Sequence, residues 1–413
     1  MDIFTPADIL LPREVDLKKW AVVACDQYSS QPEYWERVQI EVGEEPSALH
    51  MILPEAELGS GREASKIEAI HGKMQEYLQS GLLQEYNDCM IYVERRLENG
   101  RVRKGLIGKI DLEAYEFEQG AVSPIRCTEK TVVERIPPRM RVREGAALEL
   151  PHVLLLCDDD QKTLIEPIAA IKEQLPVLYD FDLMEQGGHI TGWLLQGDQV
   201  NDFLERLDAF AGSVTKKYED LPGTPMVFAV GDGNHSLATA KACYEKQKAE
   251  NPGQDWANHP ARYALVELEN IHDEAQVFEP IHRVIFDTDP EKLLRELWRT
   301  CGSKEGYPIE WYTKGRSGMF YLDPKRSQLA VGVLQGFLDE YLHKNAGTID
   351  YIHGDQELEM LAKQDGAIGF KLKAMEKSQL FRGVIADGAL PRKTFSMGHA
   401  QDKRYYLESR KIR

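Results

Sequence analysis

Apolar positions recur along this chain in two rhythms, and the rhythm changes from segment to segment. In EASKIEAIHGKMQEYLQSGLLQEY, residues 63–86, they fall three and four apart, which predicts one long amphipathic helix. PEYWERVQIEV, residues 32–42, predicts a shorter helix after WAVVACDQY, a brief apolar run that ends at Asp26. MIYVERRLENGRVRKGLIGKIDL predicts a β-hairpin whose turn is Asn99-Gly100, a pair that accepts positive φ readily. HVLLLCDDD, MVFAVGD and ARYALVELEN predict three further strands, each ending in polar or acidic residues.

From about Asp289 to Thr348 the pattern predicts longer helices and a more polar surface, with QLAVGVLQGFLDEYLHKNAG an amphipathic helix stopped by Gly347. The tail, IADGALPRKTFSMGHAQDKRYYLE, is turn-rich and basic in its middle. Strands interleaved with helices, with no repeat period, predict a mixed α/β (α+β) fold. A chain of 413 residues exceeds what one core usually organises. The expected divisions are 1–150, an α/β region with an arginine-rich segment; 151–290, a core region; and 291–413, a helical insertion with a basic tail.

Composition changes this picture in two ways. A net charge of -18 argues against general binding to nucleic acid or anionic membrane, both of which reward clustered Lys and Arg. The six cysteines show no CxxC pair and no zinc-ligand spacing, which suits free thiols in a reducing compartment. The first residues carry no signal-peptide pattern, and no apolar stretch approaches membrane-spanning length, so a cytoplasmic protein is expected.

The chemistry concentrates at GDGNHS, where the strand MVFAV breaks before a run of helix formers from Leu237 to Glu250. The first N–H groups of a helix lack internal partners and sit at the positive end of its dipole, so phosphates and carboxylates settle there. Gly231 and Gly233 permit close backbone approach, Asn234 and Ser236 add polar groups, and Asp232 and His235 bring a carboxylate and an imidazole to the same turn. The plainer reading is a helix cap made by Asn234 or Ser236.

PIRCTEKTVVERIPPRMRVREGA sets Arg126, Arg135, Arg139, Arg141 and Arg143 among acids and threonines, a cationic island whose planar donor forks match carboxylate and phosphate oxygens. Surface pairing with the chain's surplus acids is the competing explanation. EPIHRVIF contributes His282 and Arg283, and GALPRKTF contributes Arg392 and Lys393. The chain has no GxxxxGK[ST], GxGxxG, HExxH or GxSxG, which removes the common nucleotide-binding loops, zincins and serine hydrolases.

Read in order, WAVVACDQYSSQPEYW, PSALHMILPE, GLIGKIDLEAY, TEKTVVERIPPR, GDGNHSLATAK, EPIHRVI and LPRKTF resemble the bacterial family catalogued as domain of unknown function 1015, over nearly the whole chain. The family's usual signature reads Asp-Gly-His-His-Arg; Asn234 and Ser236 stand at two of its positions here. That signature is similar to the phosphate-binding turn of the ParB/sulfiredoxin-like fold, whose members include kinases of free serine. The resemblance implies a ParB/sulfiredoxin-like core with large N-terminal and C-terminal additions.

The expected function is phosphoryl transfer from ATP or ADP to the hydroxyl of a small metabolite, free serine being the guess. Phosphoryl transfer needs a backbone cradle, cations and a base. Gly231 to Ser236 would form the cradle, His235 would contact the transferred group, and Asp232 would hold Mg2+. Arg135, Arg139 and Lys393 would neutralise charge, aided by His282, Arg283 and Arg392, and Glu129 or Asp26 would take the hydroxyl proton. A non-catalytic nucleotide or metabolite sensor is the alternative, and a hydrolase or nuclease a third reading that the net charge disfavours. The expected partner is a small anionic ligand, neither nucleic acid nor membrane.

Overall fold

The long hairpin organises the molecule. In a computed structural model that describes residues 2–58, 61–118, 120–131, 133–221 and 225–413, strands Leu83–Arg96 and Val102–Asp111 pair antiparallel around the Asn99-Gly100 turn. Gly100 adopts the positive φ of 81° that its position predicts. Next to this hairpin come Tyr263–Asn270, Leu154–Cys157, Phe228–Asp232, Ile125–Cys127 and Tyr115–Glu116, and on its other side His189–Leu195 and Val177–Asp182. The sheet is mixed: Phe228–Asp232 runs parallel to Ile125–Cys127 and antiparallel to Leu154–Cys157.

Side chains alternate across a strand, so one sheet divides two cores. Met90, Tyr92, Leu106, Val266 and Leu268 enter one hydrophobic cluster, while Ile91, Val93, Ile107 and Leu265 enter the other. Helix Asp198–Lys217 covers the first face with Val200, Phe203, Leu207, Phe210 and Val214, all buried at helical spacing. Each such side chain removed from water contributes about 1.5–3 kcal/mol. Phe203 meets Phe4 edge-on, their ring centres 5.8 Å apart, and Phe4 meets Phe228 of the turn-bearing strand at 6.2 Å.

A second sheet is ordered Gly302–Ser303, Arg316–Leu322, Tyr307–Thr313, Ile368–Lys371, Phe278–Phe286 and Thr348–His353, with Phe395–Met397 beside the start of Phe278–Phe286. The fold is therefore mixed α/β. After that sheet the chain turns back into its N-terminal half. Tyr405–Tyr406 pairs with Val22–Val23, Ser409 exchanges backbone hydrogen bonds with Leu10 at 2.8 and 3.0 Å, and Arg410–Lys411 pairs with Leu148–Glu149.

Three local expectations need correction. The helix expected over 63–86 ends at Gln79; Gly81, at φ 74°, turns the chain, and Leu83 to Tyr86 join the hairpin strand. The helix expected from Leu237 begins at Asn234 and takes in part of the turn. The stretch from Asp289 to Thr348 holds helices Pro290–Cys301 and Ala330–Lys344, but between them lies the hairpin Tyr307–Thr313 and Arg316–Leu322. Its alternation was hidden among glycines and charges. Among the described residues no helix is long and apolar enough to cross a membrane.

Candidate functional site

Strand Phe228–Asp232 hands the chain to helix Asn234–Glu250 through Gly233 alone. Gly233 has φ 79°, and a Cβ there would come within 3.0 Å of the Val153 backbone, so both conformation and space demand glycine. At Gly231 a Cβ would meet the Leu156 side chain at 2.7 Å. Among the described residues no side chain caps the helix. The plainer cap reading therefore fails: Ser236 bonds His152 instead, at 2.7 Å, and the Asn234 amide reaches only back to the Val230 carbonyl, at 3.5 Å. The Asn234 Oδ1 is buried without a hydrogen-bond partner.

The helix start opens on a basin of about 570 Å3. Helix Ile136–Glu144, begun by consecutive prolines that preset its first turn, packs against helix Asn234–Glu250. It thereby brings Arg135 and Arg139 to the basin wall beside His235. Arg139 donates to the Arg135 carbonyl at 2.7 Å and pairs with Glu55. Burial, then the charges of Arg139 and Arg135, pull the His235 imidazole down to about 4, so it is neutral at pH 7.

Asp232 closes another side. Its carboxylate accepts the Gly233 N–H at 2.9 Å and pairs with Lys403 at 3.1 Å. Burial acts to raise the Asp232 carboxyl, but Lys403, His152 and the Gly233 amide outweigh it and hold it below the usual range. Lys403 is set in place from below. The buried Arg95 and Arg103 of the long hairpin donate to the backbone carbonyl of Asp402, and Arg95 also to those of Gln401 and Lys403. Burial first and the Arg103 charge second pull Arg95 down to about 9.

Of the residues singled out by sequence, Asp26, Arg135, Arg139, Asp232, His235 and Lys393 line this one basin. Glu129 does not line it and instead accepts backbone N–H groups of Thr394 and Lys393. Burial pushes its carboxyl up to about 7, against the pull of Lys393. The others lie elsewhere. His282 is buried, bonded to Asp355 at 3.0 Å and to the Leu372 N–H at 3.2 Å. Arg283 is fully buried against Gln335 and over the Tyr351 ring. Arg392 bonds the Tyr351 hydroxyl at 3.1 Å and faces a separate groove, and Ser236 faces a separate chamber. The arginine island splits likewise: Arg126 bonds the Ser123 carbonyl at 2.8 Å and Arg143 pairs with Glu149 at 2.6 Å.

Sequence reasoning missed Glu55, Glu279, His353, His399 and Lys403, which also line the basin. Only GHAQDKR, a second glycine-led polar turn with a histidine, carried a signal. Four cations (Arg135, Arg139, Lys393 and Lys403) thus face four carboxylates (Asp26, Glu55, Asp232 and Glu279) around neutral His235. Such a surface suits a ligand bearing both signs. Asp232 does not fit an open magnesium ligand, since both oxygens are engaged and Lys403 takes the cation's place. Among the described residues no group of three or more His, Cys, Asp or Glu gathers as a metal site.

The chain is a mixed α/β protein in which the turn from Asp232 to His235 opens on a mixed-charge basin. It belongs to the family described as "Protein of unknown function (DUF1015)", whose profile matches residues 7–410. No curated protein matches it in sequence. Among solved structures it is similar to a free serine kinase in complex with AMP, at 11% identity and TM-score 0.38, over 74% of this chain and 91% of that one. A variant of that kinase in complex with ADP gives 11% and 0.39 over 77% and 95%. SbnI from Staphylococcus aureus gives 11% and 0.36 over 71% and 83%. Likeness at this level fixes neither activity nor ligand.

Proposed function

We propose that this protein transfers a phosphoryl group from ATP or ADP to the hydroxyl of a small amphoteric metabolite, a hydroxy amino acid being the simplest case. The observation that carries this reading is the uncapped helix start after Gly233, opening on a basin where Arg135, Arg139 and Lys393 surround His235. The phosphates would lie against the first-turn amides, with Arg135 and Lys393 neutralising charge. Neutral His235 would hydrogen-bond the transferred group, and Asp26 or Glu279 would hold the acceptor's ammonium.

In the step itself the acceptor hydroxyl oxygen bonds to the terminal phosphorus. The bond from that phosphorus to the bridging oxygen breaks, and the shortened nucleotide leaves with the electron pair. The hydroxyl proton passes to a carboxylate. Asp26 lines the basin; Glu129, held near 7, has the affinity that suits a base at neutral pH. The test is to incubate the protein with ATP or ADP, Mg2+ and a panel of hydroxy amino acids, and to follow products by mass spectrometry. A phosphorylated acceptor supports the proposal; nucleotide binding without any product makes the protein a sensor.

A further inference from the structure

Consecutive residues of the helix start face different spaces. His235 lines the basin, whereas Ser236 lines a second chamber of about 160 Å3. Glu55 and Arg139 line both, so their ion pair is the partition between the two. One wall of the chamber is apolar, built from Met51, Leu53, Met74, Val142 and Leu148. The opposite wall is a hydrogen-bonded chain in which Ser236 meets His152 Nε2 at 2.7 Å, His152 Nδ1 meets the Tyr406 hydroxyl at 2.7 Å, and that hydroxyl meets Cys25 at 3.2 Å.

This polar chain is satisfied within itself. His152 and Tyr406 are 7% and 3% exposed and already hydrogen-bonded, so a charged ligand group would find no free counter-ion on that wall. Arg143 and Glu149, at the chamber's far side, pair with each other at 2.6 Å. What the chamber offers is therefore apolar area with the hydroxyls of Ser236, Thr239 and Tyr406 already engaged, Thr239 with the His235 carbonyl. A dry cavity of about 150 Å3 lined by aliphatic and aromatic side chains holds a benzene molecule, which sets the scale of the group that fits.

We infer that this chamber is the side-group pocket of the acceptor: the substrate class is a hydroxy amino acid carrying an apolar group of benzene size, its charged end in the basin and its apolar end past the Glu55–Arg139 pair. The inference rests on the phosphotransferase reading for the basin. It assigns selectivity to Val142 and Leu53 rather than to the helix start.

The test compares L-serine with L-threo-3-phenylserine on the full chain, with binding read by ligand-observed NMR and phosphorylation by mass spectrometry in the same samples. Phenylserine is expected to bind about tenfold or more tighter than serine, the order expected for burying a ring. Val142→Phe, at a half-buried helix position, should erase that preference while ADP affinity stays within about twofold, the change being apolar and outside the basin. Leu53→Ala, which widens the chamber, keeps the test decisive if Val142→Phe does not fold; it should shift preference toward 3-naphthylserine. Equal binding of serine and phenylserine, or variants that leave their ratio unchanged, overturns the inference. Selective phenylserine binding with no phosphorylated product keeps the pocket and overturns the phosphotransferase reading instead.

Discussion

Two clusters in this molecule are built from the same residue types and behave oppositely. In the basin, Arg135 and Lys393 are exposed and stand among carboxylates around an uncapped helix start. Where the C-terminal tail enters the N-terminal half, Arg404 pairs with Glu267 at 2.9 Å and with Glu408, and Arg410 with Glu149 at 2.8 Å; all are buried. The first cluster leaves charged side chains lining an open basin. The second buries them in ion pairs with neighbouring chain. What separates a candidate ligand site from a staple is the accessibility of the groups, and composition carries no trace of it.

The largest effect should come from breaking the staple. Arg404→Met leaves Glu267 and Glu408 buried and uncompensated, and removing one partner of such a cluster costs about 3–5 kcal/mol. Chemical denaturation should show that loss. A variant as stable as the wild type would mean that the tail is held by strand pairing alone and would erase the contrast between the clusters.

Arg135→Ala should behave in the reverse way. An exposed arginine contributes little to folding, so stability should change by no more than about 0.5 kcal/mol. Losing one charge-assisted hydrogen bond should nevertheless weaken ADP binding about ten- to hundredfold by calorimetry. Lost stability with retained affinity would move Arg135 into the structural cluster.

The contrast also explains what was legible. Pattern alone placed the long hairpin, helix Pro32–Val42 and the strand and helix on either side of Gly233, because each is a run of one dominant character. The hairpin at Tyr307–Leu322 escaped because its strands are mostly half-buried and show no clean apolar–polar alternation. At the site, GDGNHS and the arginine island were visible as local concentrations of chemistry. Lys403 and Glu55 were not, since they reach Asp232 and Arg139 only through long-range folding. The same blindness misplaced His282 and Arg283: a buried histidine-arginine pair reads like a binding pair until its partners, Asp355 and Gln335, are known.

A subtler effect concerns pH. Glu129 is held near 7, and a base must be deprotonated to work, so turnover should rise as pH increases through about 7 if Glu129 takes the proton. Glu129→Gln should then abolish turnover while nucleotide affinity stays unchanged. A variant that keeps both its turnover and the rising limb removes Glu129 from the proton transfer.

In the proposed phosphotransferase, the nucleotide's phosphates lie at the helix start after Gly233. A crystal structure of the protein with ADP tests it most directly. Phosphate oxygens are expected within hydrogen-bond reach of the backbone amides of residues 234–236, with Arg135 or Lys393 on the outer side. Phosphates lodged instead in the groove beside Arg392, with the Gly233 turn left to solvent, would contradict it.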